Sequence, residues 1–303
     1  MTLQEQIRAN RLRTALLILA FLVLFAALGL VLAAAYDPGA LGVVCAIAVV
    51  YGIVSWLGAG RMVALMTGAR RVEKADAPEL YRAVENAAIA AGLERTPDVY
   101  LVEDAAPNAF AAGRDPKRAY VAATTGLLEL MERRELEGVM AHEIAHIRNR
   151  DVRLMSLAAV LFGVIALVSD MLLRMAFYGG GRRRGGGNPA LLAVAFVALI
   201  LAPVAAMGLQ LALSRRREFL ADASAAEITG DAEGMALALR KLQRDTQVIR
   251  RVERATAHLY IESPLNKASG ARAALRGLFD THPPLEDRIA ALEQAGGFRL
   301  PPL

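Results

Sequence analysis

The segment Ala141-His142-Glu143-Ile144-Ala145-His146 decides how the rest of the chain must be arranged. Two imidazoles four residues apart on a helix lie one turn above each other on the same face, where they can occupy two corners of a zinc tetrahedron. Glu143 points to the neighbouring side and can take a proton from a water that the metal activates. Because so short a pattern occurs by accident in only about one chain in a hundred of this length, we interpret it as a metal site.

The flanks of this segment predict a long helix. Leu136, Val139 and Met140 lead into it with helical spacing, and after His146 the helix is expected to continue into the apolar residues 154–161. A third histidine at the spacing of one known class of zinc sites is excluded, because those positions hold Asn149 and Val152. The third ligand must therefore come from another part of the chain.

The composition indicates a membrane protein, since 55% of the 303 residues are hydrophobic and the mean hydropathy is +0.37. Residues 14–36 and 38–60 form two uncharged runs, each long enough to cross the hydrocarbon core. A cleaved signal peptide is the alternative, because Ala33-Ala34-Ala35 could serve as a cleavage site. The first run is too long for a signal core, however, and the second run follows at once. We therefore predict a transmembrane hairpin over residues 1–60.

Basic residues flank the hairpin at both outer ends, whereas its turn holds Asp37 and no base. The positive-inside bias therefore puts both outer ends in the cytoplasm. The net charge of +5 does not indicate nucleic acid, because the arginine clusters lie beside apolar runs, where the anionic inner leaflet is the nearer partner. The single Cys45 lies inside the second run, cannot form an internal disulfide and is interpreted as a small core residue. The flanking bases are Arg8, Arg11 and Arg13 before the hairpin and Arg61, Arg70, Arg71 and Lys74 after it.

A second hydrophobic pair is predicted over residues 154–213, around a Gly- and Arg-rich loop at 175–188. Asp170 and Arg174 interrupt its first member, while residues 189–214 carry no charge before Arg215. Because ligands on both sides of the pair must meet at one metal, either both members cross or neither does. Crossing would place the loop arginines outside, against the positive-inside bias, so the sequence leaves both possibilities open. The loop itself is interpreted as a solvated linker, with a contact to anionic headgroups as the alternative.

The remaining residues, 61–153 and 214–303, are predicted to form the two halves of a soluble domain. In the first half we expect a helix that starts near Pro78, strands at 97–102 and 119–123, and a short helix after Thr124. A strand just upstream of the helix that carries the two histidines could lie beside the cleft and pair with an extended peptide.

The second half begins with Arg215-Arg216-Arg217-Glu218-Phe219-Leu220-Ala221-Asp222. Glu218 and Asp222 are four residues apart and share one helical face. One of them could be a metal ligand, and the other could accept a hydrogen bond from the far nitrogen of a ligand histidine. The alternative is a solvated helix face that follows a basic membrane anchor.

These motifs resemble the HtpX-type membrane metalloproteases and their relatives, the CAAX prenyl proteases. The resemblance rests on His142-Glu143-x-x-His146 and on Arg217-Glu218-Phe219-x-Ala221-Asp222, and it spans nearly the whole chain in order. The chain length and the paired hydrophobic segments are similar to HtpX, whereas the CAAX prenyl proteases have more spans. Three further segments match as well: Pro107-Asn108-Ala109-Phe110-Ala111-Ala112-Gly113, Ser263-Pro264-Leu265 and Thr281-His282-Pro283-Pro284-Leu285-x-x-Arg288-Ile289.

The resemblance implies an α+β, mostly helical fold: a zincin-like metalloprotease domain with a small antiparallel or mixed sheet, plus about four hydrophobic membrane helices. It implies one zinc ion per chain, with Glu143 as the catalytic base and Asp222 as the carboxylate that orients a ligand histidine. Asn108 would hold the substrate or the oxyanion, and His282 would stabilise the transition state. From the residues alone, Asn108 is a turn residue after proline and His282 a helix-start residue. The implied zinc ligands are His142, His146 and Glu218.

The implied function is that of a multi-pass zinc endopeptidase of the cell or inner membrane, with its catalytic domain facing the cytoplasm. It would hydrolyse misfolded or damaged membrane proteins in quality control and the stress response. Its partners would be protein or peptide substrates and the lipid bilayer, with no nucleic acid; the oligomeric state is not predicted. The alternatives are a non-catalytic membrane scaffold that keeps a structural zinc and a prenyl-peptide protease. Intact Glu143 argues against the scaffold, because a closed structural site needs no base.

Overall fold

The computed structural model of the protein describes residues 3–35, 37–178, 215–245 and 283–301. Several predictions lie outside these residues: the loop from residue 179, the fourth hydrophobic run, the Ser263-Pro264-Leu265 motif and His282. The described part is mostly helical. Its helices are α1 (Leu3–Ala35), α2 (Ala40–Thr67), α3 (Pro78–Ala90), α4 (Thr125–Leu130), α5 (Arg133–Arg148), α6 (Asp151–Tyr178), α7 (Arg215–Thr229), α8 (Ala232–Arg244) and α9 (Leu285–Gly296).

Three of the described helices are long and apolar enough to cross a membrane: α1, α2 and α6. The candidate spans are Arg8–Val31, Leu41–Thr67 and Asp151–Ser169. α1 and α2 form the predicted hairpin, and in its turn the Asp37 carboxylate accepts a hydrogen bond from the Gly39 N–H at 2.7 Å. Apolar side chains of α1, among them Phe21, form one buried cluster with side chains of α6, among them Leu161. The third span therefore packs against the hairpin.

A four-stranded mixed sheet lies between the membrane helices and α5, which carries His142 and His146 and is called the metal helix below. Its strands are β1 (Arg70–Arg71), β2 (Asp98–Val102), β3 (Ala109–Gly113) and β4 (Ala119–Thr124), in the order β1-β2-β4-β3. β2 and β4 are parallel, and the other two pairs are antiparallel. The expected strands are β2 and β4. β3, which our sequence analysis did not identify as a strand, occupies the sheet edge next to α5, so β3 is the upstream strand that could pair with an extended peptide.

Both faces of β3 are buried, which explains why its sequence shows no polar alternation. Ala111 belongs to the core cluster that includes Ile144 of the metal helix, whereas Phe110 belongs to the cluster that includes Val63 of α2. A Cβ atom on Gly60 of α2 would lie 3.1 Å from the Gly113 Cα atom. Because these glycines allow such a close approach, the sheet rests directly on the membrane helices.

The metal helix does not continue into the apolar residues 154–161, which corrects the sequence prediction. α5 ends at Arg148, and α6 begins at Asp151. The break lies at Arg150, whose φ of 60° is left-handed and cannot continue a right-handed helix. The break turns the chain so that the Asp151 side chain points back to His146.

Helices from the second half of the chain surround α5. Gly138 of α5 allows a close crossing with α8, since a Cβ atom there would lie 3.0 Å from the Met235 Cα atom. α7 packs along α5, and α9 packs against α7 and α8. α5 is therefore buried along most of its length, which holds its functional side chains away from water.

Candidate metal centre

Three buried side chains from two helices converge at the centre of the domain. Their candidate ligand atoms all lie within 4.8 Å of one another. α5 presents His142 and His146, whose Nε2 atoms are 3.2 Å apart. α7 presents Glu218, whose carboxylate oxygens lie 3.8 Å from the His142 Nε2 atom and 3.7 Å from the His146 Nε2 atom. Ligand atoms about 2.1 Å from a tetrahedral zinc ion lie about 3.4 Å apart, so the donor set and its spacing fit such an ion.

The far nitrogen of each histidine is bound to a carboxylate. The His142 Nδ1 atom lies 2.9 Å from Asp222 Oδ1, and the His146 Nδ1 atom lies 3.1 Å from Asp151 Oδ2. An Nδ1–H that donates to a carboxylate leaves the Nε2 lone pair directed at the centre of the cluster. Both imidazoles are therefore held in the orientation that a metal ligand needs.

Arg288 of α9 completes the surroundings of His142 and is 0% exposed. Its Nε donates to Asp222 Oδ2 at 2.8 Å, and its Nη2 donates to Asp222 Oδ1 at 2.6 Å. Burial alone would raise the pKa of Asp222, but the charge and hydrogen bonds of Arg288 outweigh burial and lower that pKa below its usual value. Asp222 therefore stays ionised beside His142.

The other histidine is connected to the membrane hairpin. Asp151, which is 0% exposed, accepts a hydrogen bond from the Asn10 Nδ2 atom of α1 at 2.6 Å through its second carboxylate oxygen. The buried chain Asn10–Asp151–His146 thus links the first candidate span to the metal cluster.

The two histidines differ in basicity. Burial lowers the pKa of His142, and the hydrogen bond to Asp222 only partly offsets this. For His146 burial also opposes the charged form, but the hydrogen bond to Asp151 and the charge of Glu218 outweigh it and raise the pKa to about 9. The difference arises because Arg288 neutralises Asp222 beside His142, whereas the carboxylates around His146 attract a proton.

Glu143 lies between the cluster and the edge strand and is 2% exposed. Burial raises the pKa of Glu143 to about 7, although the charge of His146 and a hydrogen bond from the Ala111 backbone N–H act in the opposite direction. The Ala111 N–H can bond to Glu143 because β3 bonds to β4 through its even-numbered residues, so its odd-numbered N–H groups point to the other edge, where no described strand lies. The Glu143 carboxylate therefore faces that edge.

The structure brings together His142, Glu143, His146, Glu218 and Asp222, as the sequence analysis expected. Asn108 comes directly before β3, is 3% exposed, and accepts a hydrogen bond from the Ala109 N–H at 3.0 Å through its side chain.

Sequence reasoning missed Asp151, Arg288 and Asn10. A charge at the start of an apolar helix was the available signal for Asp151, and a matched motif was the signal for Arg288.

Comparison with known proteins identifies relatives along nearly the whole chain. The profile of Peptidase family M48 matches residues 74–295. A protease HtpX homolog from Streptococcus gordonii is 44% identical over 299 residues, which cover 96% of this chain and 99% of that protein. Protease HtpX homologs from Tropheryma whipplei and Listeria innocua are each 42% identical and cover 96% and 95% of this chain, and 97% and 98% of their own lengths. No solved structure gives a significant match.

Proposed function

The chain belongs to peptidase family M48, and from this premise we propose that it is an integral membrane zinc endopeptidase that cleaves misfolded or damaged membrane proteins. The observation that carries the proposal is the buried cluster of His142, His146 and Glu218 with the Glu143 carboxylate beside it. Family membership makes the protein a metalloprotease. The zinc ion, the residue roles, the substrates and the orientation in the membrane are our inference.

In this proposal His142, His146 and Glu218 would hold one zinc ion. When bound, the ion supplies a Lewis acid that polarises a peptide carbonyl and makes water more acidic. Asp222 and Asp151 orient the two imidazoles through their Nδ1–H groups. Arg288 keeps Asp222 ionised and in place.

Glu143 serves as the general base and then as the general acid. Its carboxylate takes a proton from the attacking water as the new C–O bond forms at the scissile carbonyl. The same proton then passes to the leaving nitrogen as the C–N bond breaks. Burial favours the protonated form of Glu143, whereas the charge of a bound divalent cation would favour its ionised form. These opposing effects suit a group that must both accept and return a proton near neutral pH.

The edge strand β3 is proposed to align the substrate. The odd-numbered residues Ala109 and Ala111 direct their backbone groups to the sheet edge beside Glu143, where their N–H groups bond to the side chains of Asn108 and Glu143. An extended peptide adds to the sheet there by replacing these side chains as the partners of the two N–H groups. Asn108, at the start of this strand, is proposed to hold the substrate or the oxyanion, and His282 to stabilise the transition state. Because the other face of β3 packs on α2, this edge lies close to the membrane helices, which suits segments of membrane proteins as substrates.

The test is metal analysis joined to a proteolysis assay on full-length protein in detergent. We expect about one zinc per chain and cleavage of casein that stops when a chelator removes the metal and resumes when zinc is restored. Glu143→Gln should keep the zinc and lose cleavage by about 10²- to 10⁴-fold, whereas Glu218→Ala should lose the zinc itself. Full activity of zinc-loaded Glu143→Gln would reject the assigned base. Unchanged zinc in Glu218→Ala would place the third ligand elsewhere.

The same samples separate the alternatives. A zinc-loaded wild-type protein that cleaves neither casein nor any membrane protein would favour the non-catalytic scaffold. Cleavage of a prenylated peptide alone, with casein and unmodified peptide left intact, would favour a prenyl-peptide protease.

A further inference from the structure

A cavity of about 300 Å³ lies away from the metal cluster, where the membrane hairpin meets the catalytic domain. It is lined by residues from α1 and α2, from the turn after β3, and from the break between α5 and α6. No step of the proposed proteolysis uses it.

One side of this cavity is strongly basic. Arg114, Arg150 and Arg153 line it; among the described lining residues Asp115 is the single acid, and it lies 3.5 Å from the Arg114 Nε atom. The Arg153 Nε atom donates to the Arg114 carbonyl oxygen at 2.7 Å, and its guanidinium lies 4.9 Å from the centre of the Trp56 ring. These contacts hold the Arg153 guanidinium at the wall of the cavity, which Arg114 and Arg150 also line.

The opposite side is apolar, with one unsatisfied acceptor. Ala15, Ile18 and Trp56 contribute hydrocarbon surface from the two hairpin helices. Asn10, which is 4% exposed, also lines the cavity; its Nδ2 donates to Asp151, but its Oδ1 has no hydrogen-bond donor among the described residues. Less than 1 Å² of this oxygen is accessible, so Asn10 belongs to the wall of the cavity and does not face its open space with this atom.

The depth of the cavity matches the lipid headgroup region. Asn10 lies near the start of the candidate span Arg8–Val31, and Arg153 lies near the start of the candidate span Asp151–Ser169. Basic groups above an apolar wall at such a boundary suit an amphiphile whose anionic head meets arginine and whose chain enters the bilayer.

We propose that this cavity binds the headgroup of an anionic phospholipid. The phosphate lies against Arg114, Arg150 and Arg153. The first acyl carbons lie along Ile18 and Trp56. Phosphatidylglycerol carries a net negative charge, whereas phosphatidylcholine carries none.

The experiment compares delipidated full-length protein in micelles with added phosphatidylglycerol, phosphatidylcholine or inorganic phosphate. We expect phosphatidylglycerol alone to raise the unfolding midpoint, by about 2–5 °C at roughly ten times its Kd, and to remain bound in native mass spectrometry. Arg114→Gln combined with Arg150→Asn should abolish this shift. Asparagine at position 150 tolerates the left-handed φ of 60°, so the fold is kept while the charge is removed.

The matched control is Arg95→Gln combined with Arg133→Gln, which removes the same charge from exposed sites away from the cavity. It should keep the full phosphatidylglycerol shift. An equal shift with phosphatidylcholine, or a shift retained by the cavity variant, would overturn the proposal. A full shift with inorganic phosphate at the same concentration would overturn the lipid assignment, because the site would then take a soluble anion. These are binding measurements, so their outcome does not depend on whether the protein is a protease.

Discussion

Arg288 places a positive charge in the interior, 2.6 Å from one oxygen of Asp222 and 3.8 Å from an oxygen of Glu218. Removing a charge from water costs several kcal/mol, and only well-formed hydrogen bonds to opposite charges offset that cost. The two bonds to Asp222 meet this condition with the planar, bidentate geometry that arginine provides. Arg288 is thus a positioning residue that acts on the metal cluster through Asp222 and His142.

Replacing Arg288 therefore tests the metal site without touching a ligand. Arg288→Gln leaves Asp222 buried without its cation, so we expect the free energy of unfolding to fall by about 3–5 kcal/mol and zinc to bind about 10- to 100-fold more weakly. Competition with a coloured chelator measures the zinc affinity. Arg288→Lys keeps the charge but loses the paired hydrogen bonds, so its zinc affinity and stability should lie between those of the wild type and Arg288→Gln. Wild-type zinc affinity in both variants would exclude the positioning role.

At the scale of helices, the metal cluster depends on an element far from it in sequence. α1 belongs to the membrane hairpin, yet its Asn10 binds the carboxylate that orients His146. The break at Arg150 makes this possible, because it starts α6 with Asp151 pointing back to α5. The hairpin is therefore expected to contribute to the metal site as well as to anchor the domain.

We predict that zinc affinity falls less the farther the replaced residue lies from His146 in the hydrogen-bonded series His146–Asp151–Asn10. Asp151→Asn should weaken zinc binding about 10- to 100-fold, because His146 loses its charged partner, and Asn10→Leu should have a smaller effect of about 2- to 10-fold. Thr14→Val is the control, since the Thr14 hydroxyl bonds to the Asn10 carbonyl oxygen within α1. If Asp151→Asn bound zinc as tightly as the control, the orienting role of the carboxylate would be refuted.

A second link joins α5 to the start of α8. The Arg134 Nη2 atom lies 2.7 Å from Asp231 Oδ1, which also accepts the Gly234 N–H at 2.9 Å and so caps α8. The hydrogen bond from Arg134 lowers the pKa of Asp231 below its usual value. Since this folded-state pKa lies below the unfolded value of about 3.9, the ion pair stabilises the fold fully above about pH 4 and loses its effect as the pH falls through the folded-state pKa.

Asp231→Asn should expose this dependence, because asparagine keeps the cap and removes the charge. Half-exposed Arg134 is screened by water, so we expect a loss of only about 0.5 kcal/mol at pH 7, or about 1–2 °C in the unfolding midpoint. At pH 3 the difference in unfolding midpoint between the variant and the wild type should be smaller than at pH 7. Thermal unfolding of chelator-treated protein at both pH values measures it, and a gap of the same size at pH 3 would contradict the assignment to the ion pair.

At the scale of the whole molecule, the sheet lies between the membrane helices and the helices of the soluble domain. One face packs on α2 and α6, and the other packs on the helices that carry the metal cluster. The metal site is thereby fixed close to the membrane helices, and the basic residues on both outer ends of the hairpin set the expected side of the membrane.

Labelling of introduced cysteines tests this orientation. With Cys45 replaced by alanine, the chain has no other thiol, so Arg95→Cys and Asp37→Cys each report one exposed site. A membrane-impermeant maleimide should label the cysteine at position 37 in intact cells and the one at position 95 only in inside-out vesicles. The reverse pattern would place the catalytic domain outside the cytoplasm.

The features that the sequence determined by itself are those set by neighbouring residues. Helical spacing puts His142 and His146 on one face, an uncharged run of sufficient length makes a membrane helix, and Pro78 and Thr124 mark helix starts. These patterns depend on backbone periods of a few residues, so they can be read without knowing the fold. They predicted two strands and most of the helices, and the motif resemblance pointed to Glu218 and Asp222.

Tertiary structure alone decided which distant groups meet. Arg288 lies 66 residues from Asp222, and Asn10 lies 141 residues from Asp151, and no spacing rule connects such pairs. β3 (Ala-Phe-Ala-Ala-Gly) also shows no alternation of polar and apolar residues, because both of its faces are buried by other elements. A buried charge or an edge strand is stabilised by contacts with residues that are distant in sequence. Its partners can therefore be identified only from the folded structure.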